Sequence, residues 1–277
     1  MKKSTKLFMA LVALFIALSP LSISAQRSLE DIKEDGKIIM ATSADFPPFE
    51  WTIMEDGEPQ IVGIDAELAQ KIADKIGVEL EIQDTSFESL VTQVQSGRAD
   101  FVAAGMSYNP ERENVVNFSD IYYETTTSFV INNENVDNFK VQEDFNSAKI
   151  GVQKGTIQEE LAKDTFPDAE IVSMNKNGDL VEALKTGRID GVMMDTIVVS
   201  EFVAQNEDII QPVEGLEIKL GDDGFAMITN KANEDLLAVI NEVLNETIES
   251  GEMDEIIQKY IELNSSQSAD DAESTEE

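Results

Sequence analysis

Apolar positions along this chain fall into two kinds of run that alternate. Short unbroken runs, such as KIIMATS (37–43), DFVAAG (100–105) and IDGVMMD (189–195), have the length and β-branched content of buried strands. Other stretches repeat apolar residues three and four apart. In DAELAQKIADKIG (65–77), Leu68, Ile72 and Ile76 share one helical face, Asp65 stands at the capping position and Gly77 at the stop. The alternating VELEIQD (78–84) predicts a strand. SFESLVTQVQSG (86–97) predicts a helix capped by Ser86. Ahead of these, SLEDIKEDG (28–36) predicts a short capped helix. ADFPPFEW (44–51) predicts a loop held by Pro47 and Pro48, and EDGEPQ (55–60) a turn.

The second half repeats the order. KIGVQKGT (149–156) is a strand with a Gly turn, TIQEELAKD a helix, AEIVSM a strand, NGDLVEALKTG a helix, IDGVMMD a strand and TIVVSEFVAQN a helix. Strand and helix in strict alternation predict two α/β units, each with a mainly parallel sheet flanked by helices. Two extended segments, YYETTTSFVINN (122–133) and GFAMITN (224–230), lie where the chain passes between the units, the second after the turn GDDG (221–224). Two long helices, NEDLLAVINEVLNETIESG and MDEIIQKYIEL, close the fold. The tail 264–277, nearly free of apolar residues, is expected to be disordered.

One phrase occurs twice, ninety positions apart: QSGRADFVAAGMS (95–107) and KTGRIDGVMMDT (185–196). In each, Gly ends a helix, Arg and Asp are expected at a surface turn, and a strand runs toward the sheet's carboxyl end, where open α/β sheets place ligands. By itself the repeat speaks for architecture; the residues after each strand carry the chemistry.

Composition narrows the function classes. The chain has no cysteine and no histidine, so disulfides, attachment through a lipidated cysteine, thiol nucleophiles, Ser-His-Asp triads and His-ligated zinc are excluded. No metal site or cofactor is expected. A formal net charge of −35 repels nucleic acid and anionic membranes and is read mainly as solubility. Lys2, Lys3 and Lys6, then LFMALVALFIALS and the small-residue end at Ala25, form a secretory signal over 1–25. The mature chain is therefore expected to be exported, periplasmic or extracellular, and monomeric.

After the first repeated strand comes GMSYNPER (105–112), where Gly105 and Ser107 offer backbone and hydroxyl groups. Pro110 can start a helix that carries Arg112, whose planar fork suits a carboxylate. After the second comes Asp195, a carboxylate able to receive an ammonium. QKGTI (153–157) adds Thr156 and backbone N–H groups at a helix start, and Phe46 offers a ring face. A carboxylate clamp on one unit and an ammonium acceptor on the other describe a cleft for a zwitterion.

ADFPPFEW, GIDAELAQKIADKIG, SGRADFVAAGMSYNPER, NFSDIYY, GVQKGT and GRIDGVMMD resemble, in order, the motifs of type II periplasmic solute-binding proteins, specifically the polar amino-acid receptors of ABC transporters. The resemblance spans about 36–262. It implies a two-lobed fold joined by two crossovers, with lobe 1 from 26–124 plus 225–263 and lobe 2 from 125–224. It implies no catalysis, and as partners an amino acid and the membrane permease and ATPase subunits. By the same resemblance, Arg112 would bind the ligand α-carboxylate with the Ser107 and Ile157 amides and Thr156, while Asp195 and the Gly105 carbonyl would hold the α-ammonium. Phe46 would pack on the ligand side chain with Ile64 opposite, and Ser43, Gln153 and Met194 would tune side-chain choice. Relatives specific for basic amino acids often carry Asp or Glu where this chain has Ser43. Yet SADFPPFE resembles thermophilic arginine receptors, in which Phe46 and Glu50 would serve a guanidinium; Glu50 as a plain surface residue is the alternative. Arginine or lysine is expected first and glutamine next. Two rival readings are an exported cyclohexadienyl dehydratase-like enzyme on the same fold and a sensing module for a receptor.

Overall fold

Two five-stranded sheets, built to one plan, carry the structure. The computed structural model describes residues 26–218 and 224–274; the signal segment (1–25) and most of the GDDG turn lie outside the described residues. Helix α1 (Leu29–Asp35) opens on a capping box between Ser28 and Asp31. There follow β1 (Lys37–Thr42), β2 (Asp45–Phe46), β3 (Glu50–Glu55), β4 (Glu58–Val62), α2 (Ile64–Ile76), β5 (Glu79–Asp84), α3 (Leu90–Gln95), β6 (Phe101–Val102), α4 (Pro110–Glu113) and β7 (Val116–Phe118). Strand β8 (Tyr123–Glu124) leads to the second lobe: β9 (Thr127–Asn132), β10 (Lys149–Gln153), α5 (Ile157–Thr165), β11 (Glu170–Met174), α6 (Asn177–Lys185), β12 (Gly191–Asp195), α7 (Thr196–Ala204) and β13 (Ile210–Ile218). The return runs through β14 (Gly224–Phe225), which pairs antiparallel with β8, to β15 (Ile228–Asn230), α8 (Glu234–Glu249) and α9 (Glu252–Ser274).

The first sheet has the order β5-β1-β6-β15-β7 and the second β11-β10-β12-β9-β13. In each, the first three strands are parallel. The fourth is antiparallel, and it is the strand that follows a crossover, β15 after β14 and β9 after β8. Both sheets are thus mainly parallel, as the alternation predicts. One apolar cluster joins Ile38, Leu68 and Phe101 of the first lobe to Val130, Leu180 and Val192 of the second. Each lobe has a second cluster of its own, the latter holding Phe129 against Phe145 at 4.5 Å between ring centres.

The repeated phrase now has a physical meaning. Gly97 and Gly187 both adopt left-handed backbone, φ 68° and 67°, and end their helices. Three residues on, Asp100 pairs reciprocally with Ile39: its N–H donates to the Ile39 carbonyl at 2.8 Å, and its Oδ2 accepts the Ile39 N–H at 2.8 Å. Asp190 does the same with Lys149, at 2.9 and 2.8 Å. In both lobes the aspartate extends the ladder by one side-chain rung and so sets the register of the strand that runs to the cleft. The expected surface turn holds for the exposed Arg98 and Arg188. Asp100 departs from it: the residue is 2% exposed and bound by Arg27 Nη1 at 2.9 Å.

Three further expectations are corrected. Asp65 does not cap α2. The cap lies two residues earlier, at Gly63, which takes φ 133° where a Cβ would lie 2.0 Å from the Phe49 carbonyl oxygen; Asp65, in the first turn, is buried in the interior. ADFPPFEW is not wholly loop: β2 and β3 pair through it, with Phe46 opposite Glu50. The tail is not disordered over its whole length, since α9 continues to Ser274. Side-chain contacts hold the start of that extension. Asn264 donates to Glu201 Oε2 on α7 at 2.6 Å, and Gln267 Oε1 accepts from Trp51 Nε1 at 3.2 Å.

Asp100→Ala strands the half-buried Ile39 N–H and leaves Arg27 with only the Lys37 carbonyl and Asp35, and is expected to cost about 1–3 kcal/mol in denaturant unfolding. Asp190→Ala, at a half-exposed position, is expected to cost less than half as much, and Asp100→Asn, which keeps an acceptor oxygen, to recover most of the loss.

Candidate ligand-binding site

Between the two lobes lies a cavity walled by residues at the carboxyl ends of strands from both sheets. The lobes meet around it through direct contacts. Arg112 Nη2 donates to the Gly155 carbonyl at 2.7 Å, Lys154 pairs with Glu88 at 2.7 Å, and the Asn177 N–H donates to Asp45 Oδ2 at 2.5 Å.

Arg112 is aimed by its own short helix. Asn109 accepts from the N–H groups of Glu111 and Arg112, at 2.7 and 3.0 Å, and Pro110 occupies the first helical position, where its missing N–H costs nothing. The guanidinium stands 5.7 Å from the Phe87 ring centre, and burial pulls its proton affinity down from the usual arginine range. It remains a cation with donors to spare.

Across the cavity, Asp195 ends β12. The residue sits at the capping position of α7 without bonding the helix; instead Gln158 Nε2 donates to Asp195 Oδ2 at 2.9 Å. Thr156 caps α5 by accepting the Glu159 N–H, and its own hydroxyl hydrogen goes to the Gln153 carbonyl at 2.8 Å. Thr156 therefore has no hydroxyl hydrogen left for a ligand, and the N–H groups at the helix start are the donors on that wall.

Gly105 lies against Phe46. A Cβ there would meet the Phe46 ring at 2.4 Å, and the backbone is left-handed at φ 48°. Its N–H donates to Asp65 Oδ2 at 2.8 Å, and Asp65 Oδ1 accepts from the Tyr122 hydroxyl at 2.6 Å. Asp65 therefore ties α2, the strand end at Gly105 and the first crossover together. Burial raises its carboxyl to about 6, although both bonds oppose that rise.

Glu50 is 0% exposed and lines the cavity, so it is no surface residue. Its oxygens meet no N–H or hydroxyl donor among the described residues; their polar neighbour is the Asp65 carboxyl, a hydrogen-bond partner only while a proton is shared between the two acids. Burial, and then the negative charge of Asp65, push its carboxyl well above the usual range. The Asn177 side-chain amide, also on the cavity wall, likewise lacks a partner at both of its atoms.

The fold thus gathers Arg112, Asp195, Ser107, Gly105, Thr156, Ile157, Phe46, Gln153, Ser43, Met194 and Glu50 around one space. Ile64 is the exception. As the first residue of α2, fixed by its N–H to the Pro48 carbonyl at 3.1 Å, it packs in the core and is not on the wall. The second aromatic on the wall is Phe87, in the turn after β5. Ser86, ahead of that turn, makes no side-chain cap. Sequence reasoning also missed Gln158, Met193, Ala104 and Asn177. The signal for Phe87 and Asn177 was present: each follows the carboxyl end of a parallel strand, β5 or β11.

Comparisons with known proteins agree with this geometry. The profile of the bacterial extracellular solute-binding proteins, family 3, matches residues 38–263. The arginine-binding extracellular protein ArtP of Bacillus subtilis is 34% identical over 254 residues, covering 90% of this chain and 96% of that protein. Among solved structures, the amino acid ABC transporter substrate-binding protein AbpA of Streptococcus pneumoniae, bound to L-arginine, superposes with a TM-score of 0.82 at 36% identity, over 85% of this chain and 98% of that one. The ancestral amino acid-binding protein AncCDT-1, a precursor of cyclohexadienyl dehydratase, gives a TM-score of 0.76 at 28% identity, over 84% of this chain and 99% of that one. With the family profile matched over residues 38–263 and ArtP 34% identical across nine-tenths of the chain, the chain belongs to family 3 of the bacterial extracellular solute-binding proteins.

Proposed function

We propose that this chain is the extracytoplasmic receptor of an ABC importer and that its ligand is L-arginine, with L-lysine second and L-glutamine third. The observation that carries the choice of side chain is Glu50, a fully buried carboxyl on the cavity wall whose close polar neighbour among the described residues is another acid, Asp65. A buried acid of that kind calls for a cation from the ligand. The unpartnered Asn177 amide adds an acceptor, and the Phe46 and Phe87 rings suit a planar guanidinium better than a compact ammonium. The names borne by ArtP and by the arginine-bound AbpA support the same choice.

In this mechanism Arg112 holds the ligand α-carboxylate, with the Ser107 and Ile157 amides, while Asp195 and the Gly105 carbonyl hold the α-ammonium. Lobe 1, 26–124 plus 225–263, receives the ligand first; lobe 2, 125–224, then closes on it by bending at the paired crossovers β8 and β14. The ligand favours closure only through contacts made in the closed form. The loaded receptor docks on the permease as a monomer, and a net charge of −35 argues against nucleic acid as a partner. The enzyme reading is set aside because the wall carries a partner for each end of an amino acid, Arg112 and Asp195. No helix among the described residues is long and apolar enough to cross a membrane, in keeping with an exported receptor.

Arg112→Ala is expected to weaken L-arginine binding by about 2–5 kcal/mol, because it leaves the ligand carboxylate unpaired; calorimetry with unchanged affinity refutes the role. Asp195→Asn should weaken L-arginine far more than its deaminated analogue, and equal losses would remove the ammonium contact. Glu50→Gln should lower affinity for L-arginine by at least about tenfold while leaving L-glutamine within a few-fold. A thermal-shift screen of the twenty amino acids tests the ligand itself, since a tight binder raises the melting temperature by mass action.

A further inference from the structure

The surroundings of Glu50 hold more information than the identity of the ligand side chain. The groups that face it are Asp65 on α2, Tyr122 ahead of β8, Asp45 on β2 and Lys176 ahead of α6, while Arg112 and Asp195 stand on the walls of the same cavity. Asp65 is the group that matters most. Its carboxylate already accepts two hydrogen bonds, at 2.6 and 2.8 Å, which oppose the rise that burial imposes, so that above about 6 it is charged beside Glu50. Tyr122 donates to Asp65, and its own hydroxyl is pushed far up by burial, so it stays a neutral donor. Lys176 is paired with Asp84 at 3.4 Å. Arg112, the cation on the wall, is bonded to the Gly155 carbonyl. Two carboxyl groups in a site closed to water, one of them kept ionised by its neighbours, do not both carry charge.

We propose that Glu50 is a neutral acid before ligand enters, and that a cationic side chain expels its proton on binding, so that arginine is taken up in exchange for one proton. The step balances: the Glu50 O–H bond breaks, the proton leaves to solvent, and the guanidinium replaces it against the carboxylate, so the charge of this end of the cavity stays constant. The guanidinium cannot supply the proton itself at these pH values. A neutral amide side chain leaves Glu50 protonated and uses its O–H as a donor. The same pocket therefore discriminates by pH, favouring cationic side chains as pH rises and losing that preference as pH falls. This inference rests on the arginine reading of the site.

The test uses the full wild-type chain. L-arginine is added in weakly buffered solution between pH 7 and 8, above the titration of Asp65 at about 6, and released protons are counted by pH-stat and by calorimetry in two buffers of different ionisation enthalpy. Release approaching one proton per arginine is expected, with Kd weakening about tenfold per pH unit below the Glu50 titration. An infrared difference spectrum should show the C=O stretch of a protonated carboxyl vanishing when arginine is added, and this measurement requires no variant. Arginine binding without proton release or loss of that band anywhere in the range overturns the exchange and leaves the arginine receptor intact. Release that persists undiminished in Glu50→Gln assigns the proton to another group and overturns the role of Glu50. Failure of arginine to bind at any pH overturns the ligand reading along with the exchange.

Discussion

Closing two lobes over a polar cavity takes charged groups out of water, and a buried charge is tolerable only when something pairs with it. Each part of the cavity wall meets that constraint differently. Asp195 is held by Gln158, Asp65 by Tyr122 and Gly105, and Arg112 by a carbonyl from the opposite lobe. Glu50 and the Asn177 amide stand apart: among the described residues the amide has no partner, and Glu50 has only another acid, Asp65, beside it. The interior thus pairs most of the polar groups around the cleft and leaves these two without a complement of opposite charge or dipole.

The scaffold behind the cleft solves a register problem twice. A parallel strand must deliver its last residue to the cavity within about an ångström if the residue is to bind. Asp100 and Asp190 secure that by bonding to Ile39 of β1 and Lys149 of β10, each through both its backbone and its carboxylate. The crossovers then place β15 and β9 at equivalent positions in the two sheets, so that each lobe is completed by a strand arriving from the other. This exchange gives the lobes two short covalent connections and one apolar cluster in common, an arrangement suited to bending as two bodies. Helix α9 adds a third link, since Asn264 bonds Glu201 on α7 of the second lobe.

Asp65 shows how binding and hinge can be joined through one carboxylate. It touches the strand end beside the cavity and the tyrosine at the start of the crossover, and it is the main charged neighbour of Glu50. Any change in the ionisation of Glu50 is felt at a group bonded directly to the first crossover.

Local pattern settled much of this. Helical periodicity, glycine stops and apolar strand runs set the alternation of elements, hence the mainly parallel sheets, and the strand-end rule led to Gly105, Ser107, Arg112 and Asp195. The same rule applied after β5 and β11 would have reached Phe87 and Asn177 as well. What lay beyond sequence was everything set by distant contacts. Whether Asp65 capped its helix or turned inward depended on how closely Gly63 approaches Phe49. Whether Ile64 faced ligand or core depended on the same packing, and the helical tail on partners at Glu201 and Trp51. Glu50 lies in the same short motif as Phe46, yet its burial beside Asp65 is set by contacts outside that motif. Periodicity and turn chemistry act within a few residues and can be read along the chain; desolvation is a property of the assembled interior, so only the tertiary structure decided which acids keep their charge.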